Sequence, residues 1–274
     1  MVRLSAVICV QNQDTQLSAC LRALSFCDEI VVVADRCTDR SQGIARRHGA
    51  VVIDGIFPLL SQRKAAGLEA ATGDWVLELE PDEVVDRALA WEIRAVLQMR
   101  PAGDWYELPI DNYVGETRVR HGWIGGLSAS HAVRLYKRGT KSWEPQRVER
   151  GTVLAGRSGG GLKGALQRHL GGDLGGLVER LNRLSALHAE DLADLGARAP
   201  MSRILLAAVR AFLQSYVVRK GWREGRHGFL VGLLSGLFPL LSQMRAHDVM
   251  AARAEALALA LDTAHAGEVV GLNR

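Results

Sequence analysis

The run LSAVICV, residues 4–10, is apolar without polar alternation, and EIVVVA, residues 29–34, repeats that character after an amphipathic interval. Apolar runs of this length bounded by polar residues describe strands buried on both faces, the habit of a parallel sheet covered by helices. Between them Leu17, Leu21 and Leu24 recur near helical spacing, with Asp14 placed to cap the helix. Residues 39–48 predict a second helix closed by Gly49, and AVVID at 50–54 a third strand. Residues 61–71 predict a third helix, and WVLELE from Trp75 a fourth strand entered through the turn Thr72-Gly73-Asp74. This alternation implies an α/β fold, with a doubly wound, mostly parallel sheet flanked by helices.

In such sheets ligands lie outside the carboxyl ends of the strands, near the switch in strand order. Those ends are polar here. Gln11-Asn12-Gln13 follows the first strand, Asp35-Arg36-Cys37-Thr38-Asp39 the second, and Glu80-Pro81-Asp82-Glu83 the fourth. Glu80, Asp82 and Glu83 are hard oxygen ligands of the kind that hold Mg²⁺ or Mn²⁺ against a diphosphate, although an acidic group between a strand and a helix also suits a helix cap. Asp39 carries the same ambiguity.

Over 274 residues, 48% hydrophobic and 23% charged, the composition excludes global disorder, and the formal charge of +4 favours anionic partners. Cys9, Cys20, Cys27 and Cys37 lack the paired spacing of a zinc site or redox dithiol, which fits a reduced compartment. The opening MVRLSAVICVQNQD turns polar too soon for a signal-peptide core.

Residues 104–136 mix aromatic and β-branched residues with turn formers and predict further strands that complete the sheet. Residues 156–176 are glycine-dense without the P-loop pattern, and read as a connection between an α/β domain at 1–155 and a helical region at 177–274. In that region Leu177, Leu181, Leu184, Leu187 and Leu192 mark one helix, and Pro200 separates it from a second at 201–220. His188 and Glu190 form no HExxH pattern and read as surface residues. GFLVGLLSGLFPLL, residues 228–241, is shorter than the roughly 18 residues of a bilayer span. With Arg203, Arg210, Arg219, Lys220, Arg223, Arg226 and Arg245 nearby, it predicts peripheral docking on a membrane surface. The placement of these basic residues beside apolar helices, without exposed stacking aromatics, argues against nucleic-acid binding.

The blocks ICVQNQD, DEIVVVADRCTDRS and SQRKAAGLEAATGDWVLELEPDE resemble, in order and spacing, the opening of glycosyltransferase family 2. The later HAVRLYKRGTKSW, GGLKGALQRHL and LVERLNRLSALHAEDL are similar to its subgroup of lipopolysaccharide core glucosyltransferases. The resemblance implies a GT-A fold with a helical C-terminal extension, and inverting transfer from a UDP-linked or other nucleotide sugar. The implied acceptor is a membrane-associated glycan or glycolipid, and the implied location the cytoplasmic face of the membrane. It also implies nucleotide-sugar contacts at Asn12, Asp35, Arg63 and Glu80, with Asp82 ligating Mg²⁺ or Mn²⁺ and Arg134 holding a phosphate. Where relatives carry Val-His-Glu this chain has Arg147-Val148-Glu149, so the implied general base is Glu149, with Asp111, Glu144 and His131 as substitutes. Glu80 stands where the family's Asp-x-Asp element has its first Asp. A nucleotidyltransferase would need a basic, glycine-rich signature after the first strand, which ICVQNQD lacks. The altered Glu-Pro-Asp element and the missing His leave open a nonenzymatic sugar-nucleotide or membrane-binding protein.

Overall fold

The computed structural model describes residues 2–124, 127–145, 147–148, 152–171 and 173–271. The unbroken apolar runs become strands where expected: β1 (Leu4–Val10), β2 (Glu29–Asp35), β3 (Val51–Gly55) and β4 (Trp75–Leu79). Three helices alternate with them: α1 (Asp14–Arg22), α2 (Ser41–Arg47) and α3 (Leu60–Ala70). β1 pairs in parallel with β2 on one side and β4 on the other, and β2 pairs in parallel with β3. The order β3-β2-β1-β4 therefore reverses direction between β1 and β4, whose carboxyl ends flank a crevice.

Beyond β4 the chain adds β5 (Glu83–Val84), α4 (Arg87–Gln98), β6 (Trp105–Val114), β7 (Thr117–Val119) and β8 (His131–Lys137). β8 runs antiparallel between β4 and β6. β9 (Lys141–Trp143) and β10 (Thr152–Leu154) form a separate antiparallel ribbon. β11 (Ser158–Gly161) and β12 (Leu166–His169) both join β6 in parallel.

The glycine-dense segment read as a connection is thus partly sheet, and Gly159 answers to close packing. A Cβ on Gly159 would sit 2.3 Å from the Tyr106 ring. Apolar periodicity is silent where glycine makes a strand.

The C-terminal helices are α5 (Leu174–Asp194), α6 (Met201–Leu213) and α7 (Gly225–Gly271). A π turn at Gln214–Val218 and a 3-10 turn at Gly221–Glu224 connect the last two, through Lys220 at φ 59°. The inner faces of α5 and α7 share one core with the far end of β6 and β7, built from Val114, Trp123, Leu177, Leu181, Leu234 and Phe238. Against the surface placement read from sequence, His188 is buried there and its ring stacks on Phe238 at 5.4 Å. Arg245, grouped above with the basic residues of a docking face, instead donates to the Asn182 carbonyl at 2.7 Å and ties α7 to α5. α6 packs on α7 but buries only Ile204.

Candidate active site

A cavity of about 370 Å³ opens at the switch point, between the ends of β1 and β4 and beneath α5. Its lining includes Gln13 from the loop after β1, Glu80 and Pro81 from the loop after β4, Arg63 and Lys64 of α3, His131 and Arg134 of β8, and Arg180 and Arg183 of α5. Among the described residues, eight of its lining side chains are Lys or Arg and two are Glu. A recess with that balance is built for an anion.

Glu78 is the buried hub. Its carboxylate accepts from Lys64 Nζ at 2.5 Å, Lys141 Nζ at 2.7 Å, Arg134 Nη1 at 3.2 Å and the Tyr136 hydroxyl at 3.1 Å. Burial raises its pKa, but Lys141, Lys64 and Arg134 outweigh that and hold it well below the usual carboxylate range. The same contest lowers Glu80, where burial is opposed by Arg168, Arg134 and Arg180. Arg134, expected to hold a phosphate, is itself 1% exposed and also donates to Glu80 Oε1 and Glu83 Oε1, each at 3.1 Å. Its position on a central strand between β4 and β6 makes it the cation around which the carboxylates assemble.

The carboxylates after β4 are likewise engaged. Glu83 accepts from Arg168 Nη2 and fixes the turn by accepting from the Glu80 backbone N–H at 2.8 Å. Arg180 crosses from α5, donating from Nη1 to Asp82 Oδ2 at 2.9 Å, from Nη2 to Glu80 Oε2 at 3.4 Å and from Nε to the Leu127 carbonyl at 2.7 Å. The other Asp82 oxygen is buried and faces Arg168 Nε at 3.9 Å.

This donor set does not fit the divalent cation expected at Asp82. One guanidinium bridges the two carboxylates that would share the ion. Five cations, Lys64, Arg134, Lys141, Arg168 and Arg180, already exceed the four carboxylates Glu78, Glu80, Asp82 and Glu83. A divalent ion would add charge to a cluster whose balance is positive. Among the described residues no three His, Cys, Asp or Glu side chains are grouped to hold a metal ion.

The residues after β1 and β2 form a neighbouring wall. Asn12 is in the left-handed region at φ 51°, and its Oδ1 accepts from the backbone N–H of Thr38 at 2.8 Å. Asp39 accepts from the Ser41 and Asp14 backbone N–H groups and so ties together the starts of α2 and α1. Asp35 is 2% exposed, accepts from the Phe57 N–H at 3.0 Å, binds Arg36 through both oxygens, and meets Arg63 Nη1 at 3.4 Å. Asn12 and Asp35 thus shape the loops, and Arg63, Glu80 and Arg134 reach the cavity. Glu149 lies outside the described residues, while Arg147 and Val148 before it line the cavity. Asp191 on α5 anchors them, accepting from the Arg147 N–H at 3.0 Å.

Lys64, Lys141, Arg168, Arg180 and Arg183 were not singled out by the sequence reading. One signal for them was present: three acidic residues at a buried strand end require basic partners, and Arg180 and Arg183 border the apolar stripe of α5.

The lipopolysaccharide core biosynthesis glycosyltransferase LpsC of Rhizobium meliloti is 24% identical over 268 residues, covering 92% of this chain and 94% of that protein. The chain is a relative of glycosyltransferases. The uncharacterized glycosyltransferase RP128 of Rickettsia prowazekii is 22% identical, covering 91% of this chain and 88% of its own. No family model matches. Among solved structures, S. aureus TarS residues 1–349 align over 93% of this chain and 92% of theirs, at 12% identity and a TM-score of 0.47. Glucosyl-3-phosphoglycerate synthase from Mycobacterium tuberculosis, solved with Mn²⁺, UDP and its product, aligns over 53% of this chain and 61% of its own, at 16% identity and a TM-score of 0.40.

Proposed function

We propose that the protein transfers a sugar, with inversion, from a nucleotide sugar to a hydroxyl group of a membrane-associated glycan or glycolipid, such as a lipopolysaccharide core. The observation that carries this reading is the cation-rich cavity at the switch point, in a chain related along nearly its whole length to glycosyltransferases. In the reaction the acceptor oxygen bonds to the anomeric carbon as the bond from that carbon to the diphosphate oxygen breaks. The acceptor proton passes to a base, and the nucleoside diphosphate leaves.

Arg63, steadied by Asp35, reaches the donor diphosphate with charge-assisted bonds. Glu149 takes the acceptor proton, a role supported by its match to the family's acceptor-side Glu and by the cavity-lining Arg147 and Val148 beside it.

Docking of α6 and α7 on the cytoplasmic face of the membrane brings the cavity to its acceptor. Met201–Val218 and Gly221–Ala260 are long and apolar enough by composition to cross a membrane, and the first is only 11% buried. Their exposed apolar residues alternate with arginines, which favours lying on an anionic surface.

The test is a screen of the purified full chain against nucleotide sugars, with and without glycolipid acceptor, reading release of nucleoside diphosphate and product mass. One donor should be consumed faster with acceptor present. Absence of turnover or binding with every donor would overturn the proposal.

A further inference from the structure

We infer that the diphosphate of the donor is held and neutralised by guanidinium groups of α5, Arg180 and Arg183, in place of a divalent cation. This rests on the proposed sugar-nucleotide site. Three observations carry it. First, Arg180 occupies the bridging position, with separate nitrogens on Asp82 and Glu80, where a metal would have to compete with a covalently tethered cation. Second, three of its five N–H donors are used by Asp82, Glu80 and Leu127, so donors remain for an anion in the cavity it lines.

Third, Arg183 lines the same cavity one helical turn further along α5 and has no hydrogen-bond or ion-pair partner among the described residues. Its burden of positive surroundings agrees with this. Desolvation, then Arg180, lowers its pKa against the pull of Glu80 and Asp82. A dianionic diphosphate would relieve both, and a fork of planar guanidinium groups matches phosphate oxygens bidentately.

The geometry also gives the carboxylates a role. Glu80 and Asp82 offset Arg180 and fix its plane, as metal ligands would fix an ion, so they are positioning residues for a protein-borne cation.

The test is calorimetric titration of UDP, GDP, CDP and ADP into the full chain, in EDTA and again with Mn²⁺ or Mg²⁺. At least one nucleoside diphosphate should bind in EDTA with an affinity within about threefold of that in metal. Arg183→Gln, which breaks no ion pair among the described residues, should weaken that binding at least about tenfold. Arg183→Lys should restore part of the loss. Arg180→Gln should weaken binding as much or more, with circular dichroism confirming the fold.

Binding that vanishes in EDTA and returns with Mn²⁺ would overturn the inference while leaving the transferase proposal standing. Unchanged binding by Arg183→Gln would also overturn it. No binding of any nucleoside diphosphate in either condition would remove the donor site itself, and the inference with it.

Discussion

Arg134 on β8 and Glu78 on the adjacent β4 meet at 3.2 Å between Nη1 and Oε1, and both are almost wholly buried. Neither is paid for singly: the same guanidinium serves Glu80 and Glu83, and the same carboxylate serves Lys64 and Lys141. Taking Arg134 from this cluster leaves Glu78, Glu80 and Glu83 each short of a charged hydrogen-bond donor inside the protein. Arg134→Met should therefore destabilise the fold by about 3–5 kcal/mol, as breaking a buried pair does. Chemical denaturation at neutral pH reads this. A loss below about 1 kcal/mol would show that the cluster rearranges without cost.

The cluster also predicts acid sensitivity. Because the folded-state pKa of Glu78 lies below its unfolded value, its contribution is present above the unfolded pKa of about 4.3 and is lost as pH falls toward the folded one. Stability should decline progressively below about pH 5. Glu78→Gln should be less stable at pH 7 and show a flatter decline between pH 5 and pH 3. Parallel curves for the two proteins would assign the acid loss to other carboxylates.

Asp35 holds Arg63 from behind rather than facing open solvent. Asp35→Ala should weaken nucleotide binding roughly tenfold through loss of a charge-assisted anchor, and leave turnover at saturating donor within about threefold. Equal falls in kcat and kcat/KM would instead place Asp35 in stabilisation of the transition state.

Glu149→Gln should lower transfer by roughly 10²-fold or more, the scale of general-base removal, while sparing calorimetric binding of the donor. The pH profile of kcat should lose its acidic limb in that variant. If binding fails and turnover per bound donor is preserved, the base must be sought at His131, which lines the cavity, or at Asp111 or Glu144.

Much of the sheet was legible because its first strands are buried on both faces. LSAVICV and WVLEL end as strands within a residue of their apolar boundaries. β11 and β12 were not legible, since Ser158–Gly161 offers no apolar pattern and owes its place to the Tyr106 ring. In the site, Glu80 and Asp82 could be read from their position after a strand, but their partners could not. Arg180 lies 98 residues from Asp82, and only the packing of Leu177 and Leu181 on the second core aims α5 at the cavity. Local pattern places a carboxylate at a crevice; tertiary packing decides which cation meets it.

That packing leaves large apolar side chains of α6 and α7 exposed among the described residues. Leu206, Val209, Val217, Val218, Trp222 and Phe229 are each more than half exposed, large apolar side chains gathered on one helical hairpin. The hairpin is held rigid from within. Phe212 stacks on Tyr216 at 5.5 Å, and Gly236 admits the α6 backbone so closely that a Cβ would lie 3.0 Å from the Ala208 carbonyl. Arg203, Arg210, Arg219, Lys220, Arg223 and Arg226 are exposed around it, and Glu224 is the one acidic residue in 201–247. Apolar insertion supplies adhesion, and each basic residue near anionic lipid adds about 1 kcal/mol, so attachment should be appreciable yet salt-sensitive. Cosedimentation with vesicles containing anionic phospholipid should fall as salt rises. It should fall further when Arg219, Lys220, Arg223 and Arg226 are changed to Gln, a variant that touches no residue of the cavity and should keep its activity on a soluble acceptor. Substituting Leu206 and Val218 with Ser should weaken binding at every salt concentration, which separates insertion from simple charge attraction. Equal sedimentation of the charge variant would leave apolar insertion alone as the attachment, and no vesicle binding by the folded wild type would mean that another protein surface covers the hairpin.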